Sequence, residues 1–308
     1  FTYIYKVYQV KEDAEITLEA NPDDLTAEYV NTLRQLPINR ISMGIQTFQE
    51  DTLKILNRRH TAQQAIEAFQ RCREAGFDNI SIDLMYGLPG ETLETWKADL
   101  QQAIKLHPEH ISAYHLIYEE GTALWKLREQ HQVEEADEDL SLTLFSTLID
   151  ELTTAGYQHY EISNFCREGA ASLHNLKYWH CDDYLGLGAG AHSYFEDERF
   201  STTRVVRDYI DGLEIIGTDI NIVATSEKID SAECMEEYVM LGMRLSEGIV
   251  IEDFERRFNT SFAEKYGARL DEFVGDGFVE KDERGYRFTS MGMFVSNYIL
   301  SSVLDLGE

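Results

Sequence analysis

The sequence predicts an α/β protein with a parallel sheet, followed by a smaller module of helices and one hairpin. Three observations carry that reading. Short β-branched and apolar segments alternate with amphipathic ones roughly every 30 residues through the first part of the chain, the rhythm of right-handed βαβ units. The stretch 79–92, Asn-Ile-Ser-Ile-Asp-Leu-Met-Tyr-Gly-Leu-Pro-Gly-Glu-Thr, runs a strand into a Gly/Pro turn and then into acidic, helix-opening residues. Beyond about residue 225 the rhythm changes to closely spaced short helices and a turn-rich hairpin.

In chain order, residues 15–20 alternate as a strand, and Asn21-Pro22-Asp23-Asp24 stops it and caps a helix to about residue 36. Residues 40–46, Arg-Ile-Ser-Met-Gly-Ile-Gln, form the next strand, with helical segments near 49–57 and 61–75, the second closed by Gly76. The strand at 79–85 is apolar at Ile80, Ile82, Leu84 and Met85, the habit of a strand covered on both faces. Asp83 sits inside it, where an unpaired carboxylate costs roughly several kcal/mol and therefore needs a donor. A helix at 93–106 and a strand at 110–116 complete the alternation. An amphipathic helix at 136–155, apolar at Leu140, Leu142, Leu144, Phe145, Leu148, Ile149 and Leu152, is laid against the sheet, and residues 157–165 read as one further strand. Residues 174–193 loosen into a run of small residues that lets backbone approach closely. Helices at 233–245, 251–258 and 261–274, a hairpin joining 277–280 to 287–289 and a helix at 293–303 resemble a winged-helix module. The expected domains are therefore 1–224 and 225–308.

Composition narrows the function. A formal charge of −29, from 27 basic and 56 acidic side chains, argues against a surface that follows a nucleic-acid backbone. Glu255, Asp271, Glu272, Asp276, Glu280, Asp282 and Glu283 put that acidity on the winged elements themselves. No run approaches the ~20 apolar residues that span a bilayer, and the N-terminus lacks the pattern of a signal peptide, so a cytoplasmic protein is expected. Cys72, Cys166, Cys181 and Cys234 have neither metal-ligand spacing nor disulfide-rich density.

Chemistry in an α/β fold sits at the carboxyl ends of parallel strands. Three strands carry polar residues there, Glu19, Gln46 and Asp83, each about one βα unit apart, so all three belong to one rim. Together they suit a ligand with ammonium and hydroxyl groups, and Arg58, after the second strand, suits its carboxylate. A purely structural role, with Glu19 and Asp83 capping helices and Gln46 satisfying backbone groups, fits the same pattern equally well. His174, flanked by Asn175, Tyr178 and Trp179, has the axial imidazole and flat aromatic surfaces that a porphyrin uses; a hydrogen-bonded structural histidine is the commoner use of such a residue.

Several motifs together carry a resemblance: Glu-Ile-Thr-Leu-Glu-Ala-Asn-Pro (15–22), Arg-Ile-Ser-Met-Gly-Ile-Gln-Thr-Phe (40–48), Ile-Asp-Leu-Met-Tyr-Gly-Leu-Pro-Gly (82–90), Tyr-Glu-Ile-Ser-Asn-Phe (160–165), His-Asn-Leu-Lys-Tyr-Trp (174–179) and Tyr-Leu-Gly-Leu-Gly-Ala-Gly-Ala-His-Ser (184–193). In this order they resemble the radical S-adenosylmethionine (radical SAM) enzymes related to oxygen-independent coproporphyrinogen III oxidase. The His-Asn-x-x-Tyr-Trp element is similar to the haem chaperone branch of that group. The resemblance implies a partial (β/α) TIM-like barrel with a small winged α+β module. It implies that Glu19, Gln46, Arg58, Asp83, Ile117 and His192 hold S-adenosylmethionine and that His174 meets haem. It further implies either a chaperone delivering haem to respiratory enzymes or an enzyme that oxidatively decarboxylates coproporphyrinogen III through a 5′-deoxyadenosyl radical. Partners are then haem or a porphyrinogen and a haem-accepting respiratory protein, with no nucleic acid and no membrane-spanning part.

One departure is large. The family binds a [4Fe–4S] cluster through Cys-x-x-x-Cys-x-x-Cys after the first strand, followed by Gly-Gly-Gly-Thr-Pro after the second, and neither motif is in these 308 residues. The resemblance enters at the third strand, which gives the expectation of about two further βα units ahead of Phe1. These residues alone have no thiolate trio for the cluster.

Overall fold

A six-stranded sheet organises the first part of the chain in the computed structural model, which describes residues 1–214 and 222–304. Backbone contacts divide the molecule into two units, Phe1–Ser172 and Leu173–Glu308. Residues 215–221, inside the expected 1–224 part, and residues 305–308, at the end of the expected 225–308 part, lie outside the described residues.

In the first unit, α1 (Thr2–Val7) precedes β1 (Thr17–Ala20), a 3₁₀ turn at Pro22–Asp24 and α2 (Ala27–Leu33). There follow β2 (Arg40–Gln46), α3 (Glu50–Ile55), α4 (Ala62–Glu74), β3 (Ile80–Tyr86), α5 (Leu93–Leu106) and β4 (His110–His115). The unit ends with α6 (Ala123–Glu129), α7 (Glu138–Thr154), β5 (Gln158–Glu161) and β6 (Asn164–Cys166). The sheet order is β1-β2-β3-β4-β6-β5, parallel from β1 to β4, with β6 antiparallel to both β4 and β5. Among the described residues β1 and β5 are edges, so the sheet is an open arc of a barrel.

Local chemistry accounts for the helix starts. Thr61 and Gln64 form a reciprocal capping box on α4, and Thr92 does the same with Thr95 on α5. Gly76, at φ +89°, releases the chain after α4. α4 and α7 lie against the sheet, over a face built from Ile41, Met43, Ile45, Ile80, Ile82, Leu84, Ile111 and Ala113, each at most 1% exposed. Trp96 of α5 is fully buried, and its indole N–H donates to the Leu144 carbonyl of α7 at 3.0 Å.

The sequence readings of residues 40–46, 93–106 and 251–258 match the observed bounds. Others need correction. Asn21 caps no α-helix: the 3₁₀ turn at Pro22–Asp24 intervenes, and Thr26 is the N-cap of α2, accepting from the Tyr29 amide. The 157–165 strand is two strands, because the chain reverses at Ile162 and Ser163 and pairs with itself. The 79–85 strand is not apolar on both faces: Ser81 and Asp83 alternate with Ile80, Ile82 and Leu84.

The second unit begins with α8 (Leu173–Trp179). An antiparallel sheet of β7 (His192–Phe195), β8 (Glu198–Thr202) and β9 (Val223–Lys228) follows, with α9 (Val206–Glu214) between the last two strands. Residues 224 and 225 both lie in β9. α10 (Ser231–Gly242), β10 (Ile249–Val250), α11 (Ile251–Phe258), a π-helical turn at Ala263–Gly267 running into α12 (Ala268–Gly275), and the hairpin β11 (Val279–Lys281) and β12 (Gly285–Phe288) complete three helices and a small sheet ordered β10-β12-β11. The expected last helix is two, α13 (Ser290–Phe294) and α14 (Ser296–Val303), broken at Val295. Aromatic edges from Phe254, Phe262, Tyr266 and Tyr286 fill this core.

Candidate cofactor site at the strand ends

Strand alternation gives the sheet two unlike faces. Opposite the apolar one stand Arg40, Ser42 and Gly44 of β2, Ser81 and Asp83 of β3, and His110, Ser112 and Tyr114 of β4. Arg40, Ser42, Ser81, His110 and Ser112 are buried. The Arg40 guanidinium reaches Thr17 Oγ1 at 3.5 Å, while its Nε has no acceptor. His110 is held at Nδ1 by Ser81 Oγ and at Nε2 by Tyr160 Oη, each at 2.8 Å, and burial followed by the Arg40 charge pushes its pKa down to about 3. It is therefore a neutral imidazole.

Asp83 lies level with Gly44 on one side and Ser112 on the other. Ser42 Oγ donates to its carboxylate at 3.4 and 3.5 Å. Burial is the main influence on this group; the Ser112 hydrogen bond opposes it and the Glu19 charge adds to it, and the net effect raises the pKa from 3.8 to about 6. Glu19 lies level with Ser42 and is exposed. The two carboxylates thus share the polar face, with Asp83 the more desolvated.

Gln46 reaches this face by an unexpected route. A bulge at Ile45 puts Gln46 level with Leu84, whose side chain belongs to the apolar face, and Gln46 adopts φ +72°. Its Nε2 consequently stands 3.0 Å from where a Cβ on Gly44 would be, and Arg58 Nη2 stands 3.4 Å from the same point. Arg58 follows Asn57, itself at φ +54°, and donates from Nη2 to Asn21 Oδ1 at 2.6 Å and to the Gly44 carbonyl at 2.8 Å. Three donor-rich side chains, Asn21, Gln46 and Arg58, therefore meet over a residue with no side chain of its own. Ile117, in the loop after β4, is 70% exposed. His192 opens β7 in the second unit, level with Ser201, and is exposed.

The residues present fit S-adenosylmethionine. Gly44 leaves a cradle that any Cβ would fill, Arg58 supplies a guanidinium for a carboxylate, and Asp83 and Glu19 supply acceptors for ammonium or ribose hydroxyls. They do not fit an iron–sulfur cluster. Cys72 and Cys166 are buried, Cys181 and Cys234 are partly so, and among the described residues no group of three His, Cys, Asp or Glu side chains is placed to hold a metal.

His174 lies exposed on α8, its Nε2 3.0 Å from Tyr178 Oη, with the two rings edge to face at 4.9 Å. Burial raises the pKa of the Tyr178 phenol, which therefore stays protonated and shares one hydrogen bond with the imidazole. Tyr184 meets Tyr178 edge-on at 4.6 Å, and Arg244 stacks 4.4 Å over Trp179. Beside them Tyr178, Trp179, Tyr184, Tyr194 and Leu241 line a cleft of about 260 Å³.

Asn21, Gly44, Ser42, Ser112 and Arg40 were not singled out by sequence reasoning. The even-numbered polar residues Arg40 and Ser42, set against Ser81 and Asp83, and the even-numbered His110, Ser112 and Tyr114 were the available signal for Arg40, Ser42 and Ser112; Gly44 and Asn21, whose Asn-Pro pair reads as a turn, carried none.

Comparison with known proteins gives the family. Residues 1–103 match the radical SAM superfamily model and residues 229–295 the HemN C-terminal domain model. A "Heme chaperone HemW" of Lactococcus lactis is 34% identical over 94% of this chain and 75% of its own length, and one of Bacillus subtilis is 34% identical over 94% and 76%. The solved coproporphyrinogen III oxidase (HemN) of Escherichia coli, a radical SAM enzyme, superposes with a TM-score of 0.81 over 98% of this chain and 72% of its own, at 22% identity, which makes it a likeness of fold. No helix among the described residues is long and apolar enough to cross a membrane. With that identity extending over three quarters of its relatives' length, the chain belongs to the radical SAM superfamily, in the family of the HemW heme chaperones.

Proposed function

We propose that this chain is the haem-handling part of a cytoplasmic chaperone built on a radical SAM scaffold, which binds S-adenosylmethionine at the strand ends and passes haem to respiratory enzymes. The observation that carries the cofactor half is the meeting of Asn21, Gln46 and Arg58 over Gly44, beside the half-buried Asp83. Arg58, oriented by two acceptors, grips a carboxylate with its remaining donors; Asp83 and Glu19 accept from ammonium and hydroxyl groups; Ile117 offers an apolar surface to a base. When bound, S-adenosylmethionine supplies a sulfonium and an adenosyl group.

The haem half rests on His174. Its Nε2 shares a hydrogen bond with a neutral phenol, which a metal ion displaces without leaving a buried charge. The adjoining cleft, at about 260 Å³, is below the roughly 300–1,000 Å³ of pockets that engulf drug-sized ligands. A porphyrin accordingly rests against α8 with much of its surface outside, as suits cargo to be handed on. The names of the HemW relatives support this reading. The other reading, an oxygen-independent coproporphyrinogen III oxidase, has the fold likeness behind it.

Two titrations test the proposal. Hemin added to the protein produces a Soret shift that His174→Ala abolishes, and labelled S-adenosylmethionine is retained by the protein and lost in Arg58→Ala. An unaltered Soret response in His174→Ala removes that ligand. Anaerobic formation of protoporphyrinogen from coproporphyrinogen III by the whole protein establishes the oxidase instead.

A further inference from the structure

Asp99 lies on α5 and is 0% exposed. All three of its hydrogen bonds go to one turn, the three residues that follow Gln46. Asp99 Oδ2 accepts from Thr47 Oγ1 at 2.5 Å, and Oδ1 accepts from the Phe48 amide at 3.1 Å and from Gln49 Nε2 at 2.8 Å. Thr47 is itself 0% exposed and accepts from the Gln49 amide at 3.0 Å. On the other side of Gln46, the buried His60 donates from Nε2 to the Ile45 carbonyl at 3.1 Å. Residue 46 is therefore clamped between a carboxylate on 47–49 and an imidazole on 45.

The clamp has a physical reason. A residue with a Cβ at φ +72° is strained by roughly 1–3 kcal/mol and persists where its surroundings over-determine it. A buried carboxylate is likewise unfavourable unless several donors converge on it. Asp99 and Gln46 stabilise each other's unfavourable states: the turn supplies the donors, and the carboxylate holds the turn that swings the Gln46 amide over Gly44.

We infer that Asp99 is a positioning residue for the S-adenosylmethionine site, acting through the backbone of Gln46 without touching the ligand. The inference rests on the cofactor reading above. Merely structural burial would spread the carboxylate's bonds over several elements; here they all fall on the turn that sets one ligand-facing amide.

The test is the affinity of the intact protein for S-adenosylmethionine by equilibrium dialysis, with the melting temperature followed in parallel. Asp99→Asn keeps the shape but loses one charged acceptor, and its affinity falls about tenfold. Combined with Gln46→Ala, which removes the amide being positioned, Asp99→Asn adds less than about twofold, because coupled residues are non-additive. A folded Asp99→Asn with unchanged affinity overturns the inference, as does a full additive loss in the double variant. Should Asp99→Asn fail to fold, Thr47→Val, which removes one of the three bonds at constant volume, decides by the same double-variant criterion, with an expected loss of about threefold. Thr47→Ser restores the affinity. If Gln46→Ala, Arg58→Ala and Asp83→Asn all retain full affinity, the cofactor reading fails and takes this inference with it; if they lose affinity and Asp99→Asn does not, this inference alone fails.

Discussion

Replacing Asp83 by Asn is expected to stabilise the fold while weakening the site. The side chain is held with its pKa raised from 3.8 to about 6, chiefly by burial, so the folded protein prefers it protonated. At 1.36 kcal/mol per unit, that shift corresponds to about 3 kcal/mol of folding stability lost once the group is fully ionised. The sign follows from proton uptake. Between pH 3.8 and about 6 the folded chain binds more protons than the unfolded one, so stability falls as pH rises through this window. Asp83→Asn has no charge to bury and keeps an acceptor for Ser42 and Ser112. It should therefore match the wild type in acid and exceed it by about 1–3 kcal/mol above pH 7. The difference between the two proteins must be read, since His110 runs the other way: its pKa, lowered to about 3, adds stability as pH rises through the same range. Urea midpoints at pH 5, 6, 7 and 8 measure this, with the gap widening by about 1 kcal/mol between pH 5 and 7. A variant less stable than wild type at pH 8, or a gap that does not vary with pH, refutes the assignment of Asp83 as a strained, desolvated carboxylate. S-Adenosylmethionine affinity of the same variant should fall.

Gly44→Ala places a methyl group 3.0 Å from Gln46 Nε2 and 3.4 Å from Arg58, so cofactor affinity should drop about tenfold while the melting temperature changes little, as dialysis and thermal scans will show. Tyr178→Phe removes the hydrogen bond to His174 Nε2 and should tighten hemin binding by up to about tenfold in a Soret titration, since a net hydrogen bond no longer competes. Trp96→Phe loses the N–H to Leu144 and leaves a partial void between α5 and α7, lowering stability by about 1–3 kcal/mol in urea unfolding. Arg40→Met removes a buried guanidinium that lowers the pKa of both Asp83 and His110, so an NMR titration should find both raised.

How far the sequence reached depended on whether local chemistry or tertiary packing made each decision. α5 was legible at both ends because Thr92 and the acidic first turn mark its start and the apolar period its length. β2 was legible because Ile41, Met43 and Ile45 alternate with smaller or polar residues at strand period. α8 and the start of β7 were not, since aromatic and small residues at 174–193 carry neither a helical nor a strand period. The rim was partly legible: even spacing by βα units predicted Glu19, Gln46 and Asp83 at strand ends, and Glu19 and Asp83 do share a face, but Asp83 lies at the middle of β3 and not at its end. The route by which Gln46 reaches Gly44 was not, because a bulge and a positive φ in a glutamine have no local signal, and the turn that follows is bonded to Asp99, some 50 residues on. In sequence, Asp99 reads as one more solvated acid on a helix. The apolar count of 79–85 misled in the same way, hiding an alternation in which Ser81 and Asp83 face one side and Ile80, Ile82 and Leu84 the other.

The two edges of the six-stranded sheet differ in their capacity for assembly. β5 is irregular, with its register shifted between His159 and Glu161, and it closes a tight antiparallel return. β1 runs unbulged and parallel to β2, and among the described residues its outer backbone groups belong to no strand. The sheet thus has one irregular edge and one regular edge. A strand added in parallel at β1 would continue the order β4-β3-β2-β1, and the brevity of β1, four residues with an exposed Glu19, limits the ladder that edge offers.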